Sequence, residues 1–250
     1  MNNVLIMAGG RSSRMRNTTS LSLHKALAPI FGIPLIELNL LYAYVYGYRQ
    51  AWVSVAATEQ QLLTHLDRLK KLYRNKLGLI IQIIVEEIPL GTIGAAQFVD
   101  IGDDDVLVLN VDNLLNLDLS VLENSHISSR AVMTIASHYE SFSIPFGQLV
   151  VEEGEVVDYL EKPKQRILVS SGTYILGPKA RSIVSQNYPE QRIDIPGLSK
   201  DLIALGDKVH SFLHQSIWSD INDKDTLERV RESEKWPLID KIQDLIREVV

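Results

Sequence analysis

The chain has 250 residues, 46% of them hydrophobic, with 31 acidic against 25 basic side chains, a net charge of -6 and no cysteine. That size and apolar content support one large core. The lack of cysteine excludes disulfides and thiolate metal sites and points to a cytoplasmic location. An acidic chain without a basic tail argues against nucleic acid as a partner. No apolar run approaches the roughly 18 residues that a membrane helix needs, so no membrane is expected either.

Val4 to Met7 is a short apolar run that leads directly into Ala8-Gly9-Gly10 and a polar segment, the pattern of a buried parallel strand feeding a ligand loop. Glycine permits positive φ and close approach of the backbone, so N–H groups there can face phosphate oxygens. Arg11, Arg14, Arg16 and Lys25 follow, with no acid between residues 8 and 25. In a chain of net negative charge that concentration implies a local anion. The loop fits neither G-x-G-x-x-G nor G-x-x-x-x-G-K-[ST], which disfavours a dinucleotide site and a P-loop.

Pro34 opens a predicted helix through Leu35, Ile36, Leu38, Leu40 and Leu41. Ala51 to Ala56 reads as a strand, and Thr58 as the cap of a helix bearing Leu62, Leu63, Leu66, Leu69 and Leu72. Leu79 to Val85 and Val106 to Leu109 are further strands. Gly91-Thr92-Ile93-Gly94 opens an Ala-rich helix between them, and Asp112 follows the second. This alternation predicts a three-layer, doubly wound, mixed but mostly parallel α/β sheet, with ligands at the carboxyl ends of its strands.

Beyond it, Ala131 to Ser137, Gly147 to Val151, Val156 to Leu160 and Gly172 to Leu176 are strand-like, with a hairpin turn at Glu153-Gly154. They are expected to form an added mixed β region over the site. Asp223 is expected to cap a helix from Asp225 to Ser233. A last amphipathic helix, Leu238 to Val250, places Leu238, Ile242, Leu245, Ile246 and Val249 inward, for packing or for a homo-oligomer contact. His210 and His214 fall on a predicted strand, and with His65, His126 and His138 they are read as surface or packing residues.

Taken together these segments resemble the sugar-phosphate nucleotidyltransferases. Ala8-Gly9-Gly10-Arg11-Ser12-Ser13-Arg14-Met15 and Lys25-Ala26-Leu27 resemble A-G-G-x-G-[TS]-R-[LM] and P-K-P-[LM], with Ser12 in place of a glycine and His24 and Ala26 in place of prolines. Leu90-Gly91-Thr92-Ile93-Gly94-Ala95 resembles L-G-T-[AS]-G-[AS], and Ile93 predicts a bulkier pocket wall. Asn110-Val111-Asp112 resembles N-G-D. Pro145-Phe146-Gly147, Glu161-Lys162-Pro163, Ser170-Ser171-Gly172-Thr173-Tyr174 and Trp218-Ser219-Asp220-Ile221-Asn222 resemble [IP]-[YF]-G, E-K-P, N-A-G-[IT]-Y and W-x-D-I-G. The order matches across residues 4 to about 231.

The resemblance implies one Rossmann-like domain: a nucleotide half to about residue 130, a sugar-phosphate half from 131 to 222, and C-terminal helices from 223. It implies a nucleoside triphosphate and a sugar 1-phosphate as substrates and Mg²⁺ as cofactor, held by Asp112 and Asp220. Arg14 and Lys25 would be catalytic, Ala8, Gly9, Gly10, Gly91 and Thr92 nucleotide-binding, and Gly147, Glu161, Lys162 and Ser171 sugar-phosphate-binding. The Ile-Pro-Phe-Gly segment and Ile193 to Leu198 are most similar to members that serve surface glycans and sometimes use GTP. The opening also resembles the molybdenum-cofactor guanylyltransferases, against which the E-K-P and W-x-D-I segments speak. A non-catalytic nucleotide-sugar sensor is disfavoured because Arg14, Lys25, Asp112 and Asp220 are all present.

Overall fold

The computed structural model describes residues 1–10, 24–232 and 236–249. The predicted first strand is β1, Asn3–Met7. A small hairpin, β2 (Pro29–Ile30) and β3 (Ile33–Pro34), leads into α1, Leu35–Val45. Then come β4 (Gln50–Ala56), α2 (Gln60–Leu77) and β5 (Ile80–Glu86). Helix α2 is flanked by Glu59 rather than capped by the expected Thr58 and ends on left-handed Gly78, φ 68°. Its buried stripe is Leu62, Leu66, Leu69 and Tyr73, the spacing of one helical face.

A 3₁₀ helix, Gly94–Phe98, precedes β6 (Val106–Asn110), and β7 (Asn113–Leu115) and α3 (Leu119–Ser129) follow. The second half contains β8 (Met133–Ser143), β9 (Gln148–Glu152), β10 (Glu155–Leu160) and β11 (Lys164–Leu176). It continues with α4 (Pro178–Asn187), α5 (Ile195–Ala204), β12 (Val209–Leu213) and β13 (Trp218–Asp220). Two helices close the chain, α6 (Lys224–Glu232) and α7 (Pro237–Val249). As expected, Asp223 caps α6, its carboxylate accepting from Thr226 N at 2.7 Å.

The main sheet runs β12-β8-β11-β6-β1-β4-β5, and β11 alone runs against the rest. Alternation along the strands divides the core. Val4, Ile6 and Ala8 of the first strand face one cluster with α1, α2, α6 and α7, whereas Leu5 and Met7 face the other with the 3₁₀ helix, α4 and α5. A period of two with both faces apolar is what a sheet between two helical layers requires.

The added β region is narrower than its four strand-like segments suggested. The segments around Ala131–Ser137 and Gly172–Leu176 lengthen into β8 and β11 and join the main sheet. Only the β9–β10 hairpin and the outer ends of β8 and β11 stand apart. Glu153 (φ 49°) and Gly154 (φ 92°) make the hairpin turn, as a two-residue connection between right-twisted strands demands.

The connectivity fixes where a ligand can sit. From β1 the chain steps outward to β4 and β5, then returns across the sheet to β6 on the other side of β1. Parallel loops leaving β1 and β6 therefore diverge and open a crevice at their carboxyl ends.

Candidate active site

A cleft of about 490 Å³ lies at that switch point, lined by Gly9, Gly10, Lys25, Gly91, Thr92 and Asp112 among the sequence-predicted residues. Glu86, Asn110, Arg192 and Asp194 line it too. Ala8 sits just beneath, buried at the end of β1, where its N–H bonds Ser54 O at 2.9 Å. Arg14, with Arg11, Ser12 and Arg16, lies outside the described residues.

His24 does the work of the missing proline. It caps the turn Lys25–Leu27 by accepting Ala26 N–H on Nδ1 at 3.1 Å. That bond leaves the proton on Nε2, which lies 3.3 Å from Gly10 O and so donates to it. One buried imidazole thereby joins the glycine loop to the turn that carries Lys25. Lys25 in turn forms an ion pair with Asp112.

Asp112 is held from several sides. Val111 N donates to Met7 O at 3.1 Å, and the buried Asn39 amide bonds Val111 O at 3.1 Å. Val111, in place of the usual glycine, is buried in the core and leaves the carboxylate where it was expected. Asp220, 108 positions away, arrives through the pairing of β13 with β7, in which it faces Asn113. Ile221 N also donates to Asp112 O at 2.8 Å. Asn222 bonds one oxygen of Asp220, whereas Oδ1 is buried and has no hydrogen-bond partner among the described residues. Burial first, and the Asp112 charge second, push the Asp220 carboxyl up to about 6. Two neighbouring carboxylates, one carrying an orphaned buried oxygen, form a donor set that suits a hard divalent cation together with ligand oxygens.

The opposite wall is a stitched pair of loops. Ile193 N bonds Leu90 O at 3.0 Å, Thr92 N bonds Asp194 Oδ1 at 2.8 Å and Ile195 N bonds Thr92 Oγ1 at 2.9 Å. Ile93 is fully buried in the core and not in the cleft lining, so the bulkier wall expected from it does not arise. Gly91 has φ +83°, and a Cβ there would run into the Ile193 carbonyl. We expect Gly91→Ala to cost about 1–3 kcal/mol of stability, the scale of a forced positive φ, seen as a lower urea midpoint. An unchanged midpoint would show that the loop pair yields freely.

Glu86 closes the inner end. It is 4% exposed, with Oε1 accepting from Ser54 and Oε2 from Leu90 N at 3.0 Å. A Cβ at Gly9 would overlap the Glu86 carboxylate, so any side chain there would have to push that carboxylate off its Ser54 and Leu90 partners.

The acceptor residues inferred from the resemblance are placed differently. Gly147, Glu161 and Lys162 are exposed on the outlying β region and are not among the cleft-lining residues. Ser171 is fully buried, its hydroxyl between His138 Nδ1 at 2.8 Å and His214 Nε2 at 2.7 Å. His138 packs on Trp218 with ring centroids 4.3 Å apart, and the Trp218 indole donates to Ser171 O at 2.9 Å. Burial, and then His138, depress the His214 pKa to about 4. These histidines are packing residues, as expected, but with Ser171 they form a polar cluster whose members lie too far apart in the chain for any local pattern to reveal it.

A glycine loop, a lysine and two convergent carboxylates thus meet at the switch point of a doubly wound sheet. The family model for nucleotidyl transferases matches residues 3–235, and the chain belongs to that family. It is 27% identical over 160 residues to a D-glycero-alpha-D-manno-heptose 1-phosphate guanylyltransferase of Aneurinibacillus thermoaerophilus, covering 63% of this chain and 66% of that one. To the mannose-1-phosphate guanylyltransferase of Mycobacterium tuberculosis it is 26% identical over 224 residues, covering 87% of this chain and 60% of that one. The chain thus spans about two thirds or less of these relatives' lengths. Among solved structures, HddC from Yersinia pseudotuberculosis superposes with a TM-score of 0.67 at 22% identity, covering 94% of this chain and all of that one. The inositol-1-phosphate CTP transferase of T. maritima gives 0.66 at 14% identity, covering 94% and 98%. At these identities the structural likeness speaks for the fold. No helix among the described residues is long and apolar enough to cross a membrane.

Proposed function

We propose that the chain joins a nucleoside triphosphate to a sugar 1-phosphate, giving a nucleoside diphosphate sugar and pyrophosphate, with GTP as the preferred donor. The observation that carries the reading is the meeting of the Gly9–Gly10 loop, the Lys25–Asp112 pair and Asp220 at one sheet edge. An oxygen of the sugar phosphate attacks the α-phosphorus, the bond to the β-phosphoryl oxygen breaks, and pyrophosphate leaves. The attacking phosphate is ionised near neutral pH, so no protein base is needed. The chain acts by position and charge. Gly9 and Gly10 present backbone N–H groups to the triphosphate, Lys25 neutralises charge on the transferring phosphoryl group, and Arg14 holds the outer phosphates. Asp112 and Asp220 would hold Mg²⁺, which when bound supplies charge neutralisation at the phosphate oxygens. Glu161, Lys162, Gly147 and Ser171 remain the acceptor-binding residues of this reading, supported by resemblance alone.

Glu86 supports the choice of base. An ionised carboxylate only accepts hydrogen bonds, and guanine presents two adjacent donors, N1–H and N2–H₂, on one edge. Neither a pyrimidine nor adenine offers that pair. Each Glu86 oxygen keeps acceptor capacity beyond its Ser54 or Leu90 partner. The two named guanylyltransferase relatives point the same way. The test is pyrophosphate release from four nucleoside triphosphates against mannose, heptose and hexosamine 1-phosphates. GTP should be favoured, and Glu86→Gln should lower kcat/KM for GTP by roughly 10–100-fold, the scale of a mismatched hydrogen-bonding group in a specificity pocket. No release with any pair would overturn the activity, and an unaltered GTP preference in Glu86→Gln would overturn the base assignment alone.

A further inference from the structure

The second carboxylate of the site stands on a strand that the main sheet does not hold. Asp220 ends β13, which is 3 residues long and pairs only with β7, itself outside the seven-stranded sheet. Two-stranded pairings are marginal alone. The bond from Ile221 N to Asp112 O fixes one end of the segment. Trp218, two residues before Asp220 and on the same side of the strand, fixes the other.

Trp218 is clamped between two strands of the main sheet. Its indole N–H donates to Ser171 O of β11 at 2.9 Å, and its ring lies on His138 of β8, centroids 4.3 Å apart. The register of β11 against β8 shifts between Ser170 and Tyr174, and within this irregularity Ser171 is fully buried. Next to it Gly172, φ +70°, lies so close to β7 that a Cβ would overlap the Asn113 amide. The irregularity therefore touches both strands of the small sheet.

One backbone group sets every proton in the cluster around Ser171. Ser216 N can only donate, and it bonds His214 Nδ1 at 3.2 Å. An imidazole whose Nδ1 accepts is neutral and carries its proton on Nε2. His214 Nε2–H therefore donates to Ser171 Oγ at 2.7 Å, and the serine proton goes to His138 Nδ1 at 2.8 Å. His138 is then neutral as well, with its proton on Nε2. The bonds run in one direction, from the loop after β12 to the ring on which Trp218 rests. A buried network satisfied in this way holds its members in one geometry.

We propose that His214 and His138, joined by the Ser171 hydroxyl, are positioning residues that fix Trp218 and through it set the Asp220 carboxylate for a divalent cation. This rests on the reading of Asp112 and Asp220 as the cation-binding pair, and it takes from Ser171 only the inward-facing hydroxyl. Partners that orient a metal ligand change affinity by about 10–100-fold, and a pair acting through Trp218 belongs at the lower end.

Nitrogen-15 NMR of the metal-free full chain at neutral pH should show both imidazoles as Nε2–H tautomers, a reading that needs no variant. A ring protonated on Nδ1 at either position would overturn the proposal. Mn²⁺ alone, followed by the electron paramagnetic resonance of the free ion, should bind about 10-fold more weakly to His214→Leu and to His138→Phe, which keeps a ring against Trp218. His214→Gln should retain most of the affinity, because its amide donates where Nε2–H does; restored packing alone would not give this. In turnover, the half-saturating Mg²⁺ should rise in the two weakened variants, with kcat recovered once Mg²⁺ is raised. Unchanged Mn²⁺ affinity in both, while Asp112→Asn and Asp220→Asn weaken it, would overturn the positioning role alone. Mn²⁺ binding indifferent to the two aspartates would instead overturn the metal site beneath it.

Discussion

Asp112→Asn and Asp220→Asn should each abolish Mg²⁺-dependent pyrophosphate release, a loss of roughly 10²-fold or more at ordinary Mg²⁺. The two carboxylates come from loops after β6 and at the end of β13, joined by the β7–β13 pairing and by the bond from Ile221 N to Asp112 O. Asn keeps shape and most hydrogen bonding, so what changes is charge. The free chain should respond in the opposite sense. Asp220 has a carboxyl held up near 6 against an ordinary 3.8. A carboxyl raised on folding favours the folded state fully below its unfolded value, and that contribution is lost as pH rises through its folded value. At pH 7 the charged Asp220 therefore weakens the metal-free fold. Asp220→Asn should raise stability in EDTA by about 1 kcal/mol after allowance for solvent screening, and this gain should vanish near pH 4. Thermal unfolding in EDTA, beside activity against Mg²⁺ concentration, reads both. Full activity in either variant removes that residue from the metal site.

The layered sheet was legible because its information is local. Val4 to Met7, Ala51 to Ala56 and Val106 to Leu109 are apolar on both faces, and the helices between them carry one buried stripe or a proline start. The meeting of Gly9, Gly91 and Asp112 followed from parallel topology alone, since every loop in question leaves a carboxyl end. The fate of the second half was not local. Whether Ala131–Ser137 pairs with the main sheet or with a neighbouring hairpin depends on partners such as Val209–Leu213 and Thr173–Leu176, and no periodicity within the segment distinguishes the two.

The same limit applies to the site. Glu86 reads as one of two glutamates ending a strand, and only the approach of Gly9 shows that its carboxylate is held inward. Asp194 reaches the cleft by accepting from Thr92 N, 102 positions away, and Arg192 by its ion pair with Asp194. His24 looked like the loss of a proline, yet it supplies a cap and a link to Gly10 that proline could not make. In each case the residue type was visible and its partner was not.

Lys25→Ala should lower kcat by roughly 10²-fold, the effect of removing a preorganised charge at a site where negative charge develops. Lys25 follows its His24 cap directly, in a turn tied to the glycine loop, so the ammonium is positioned before any ligand arrives. Without ligand it rests on Asp112. Binding of a triphosphate and a cation would let the carboxylate turn to the cation and the lysine to the phosphates, with little change in the number of paired charges. If Lys25 acts mainly on the transition state, its loss should appear in kcat, with KM for the triphosphate changed little. Lys25→Arg should recover part of the rate, since the charge returns with a different shape. Arg14→Ala, at the corresponding family arginine, should instead raise KM as well, because the outer phosphates carry their full charge in the ground state too. Steady-state kinetics over triphosphate concentration separates these patterns. Normal turnover in both alanine variants would show that the basic segment after Gly10 takes no part in the reaction.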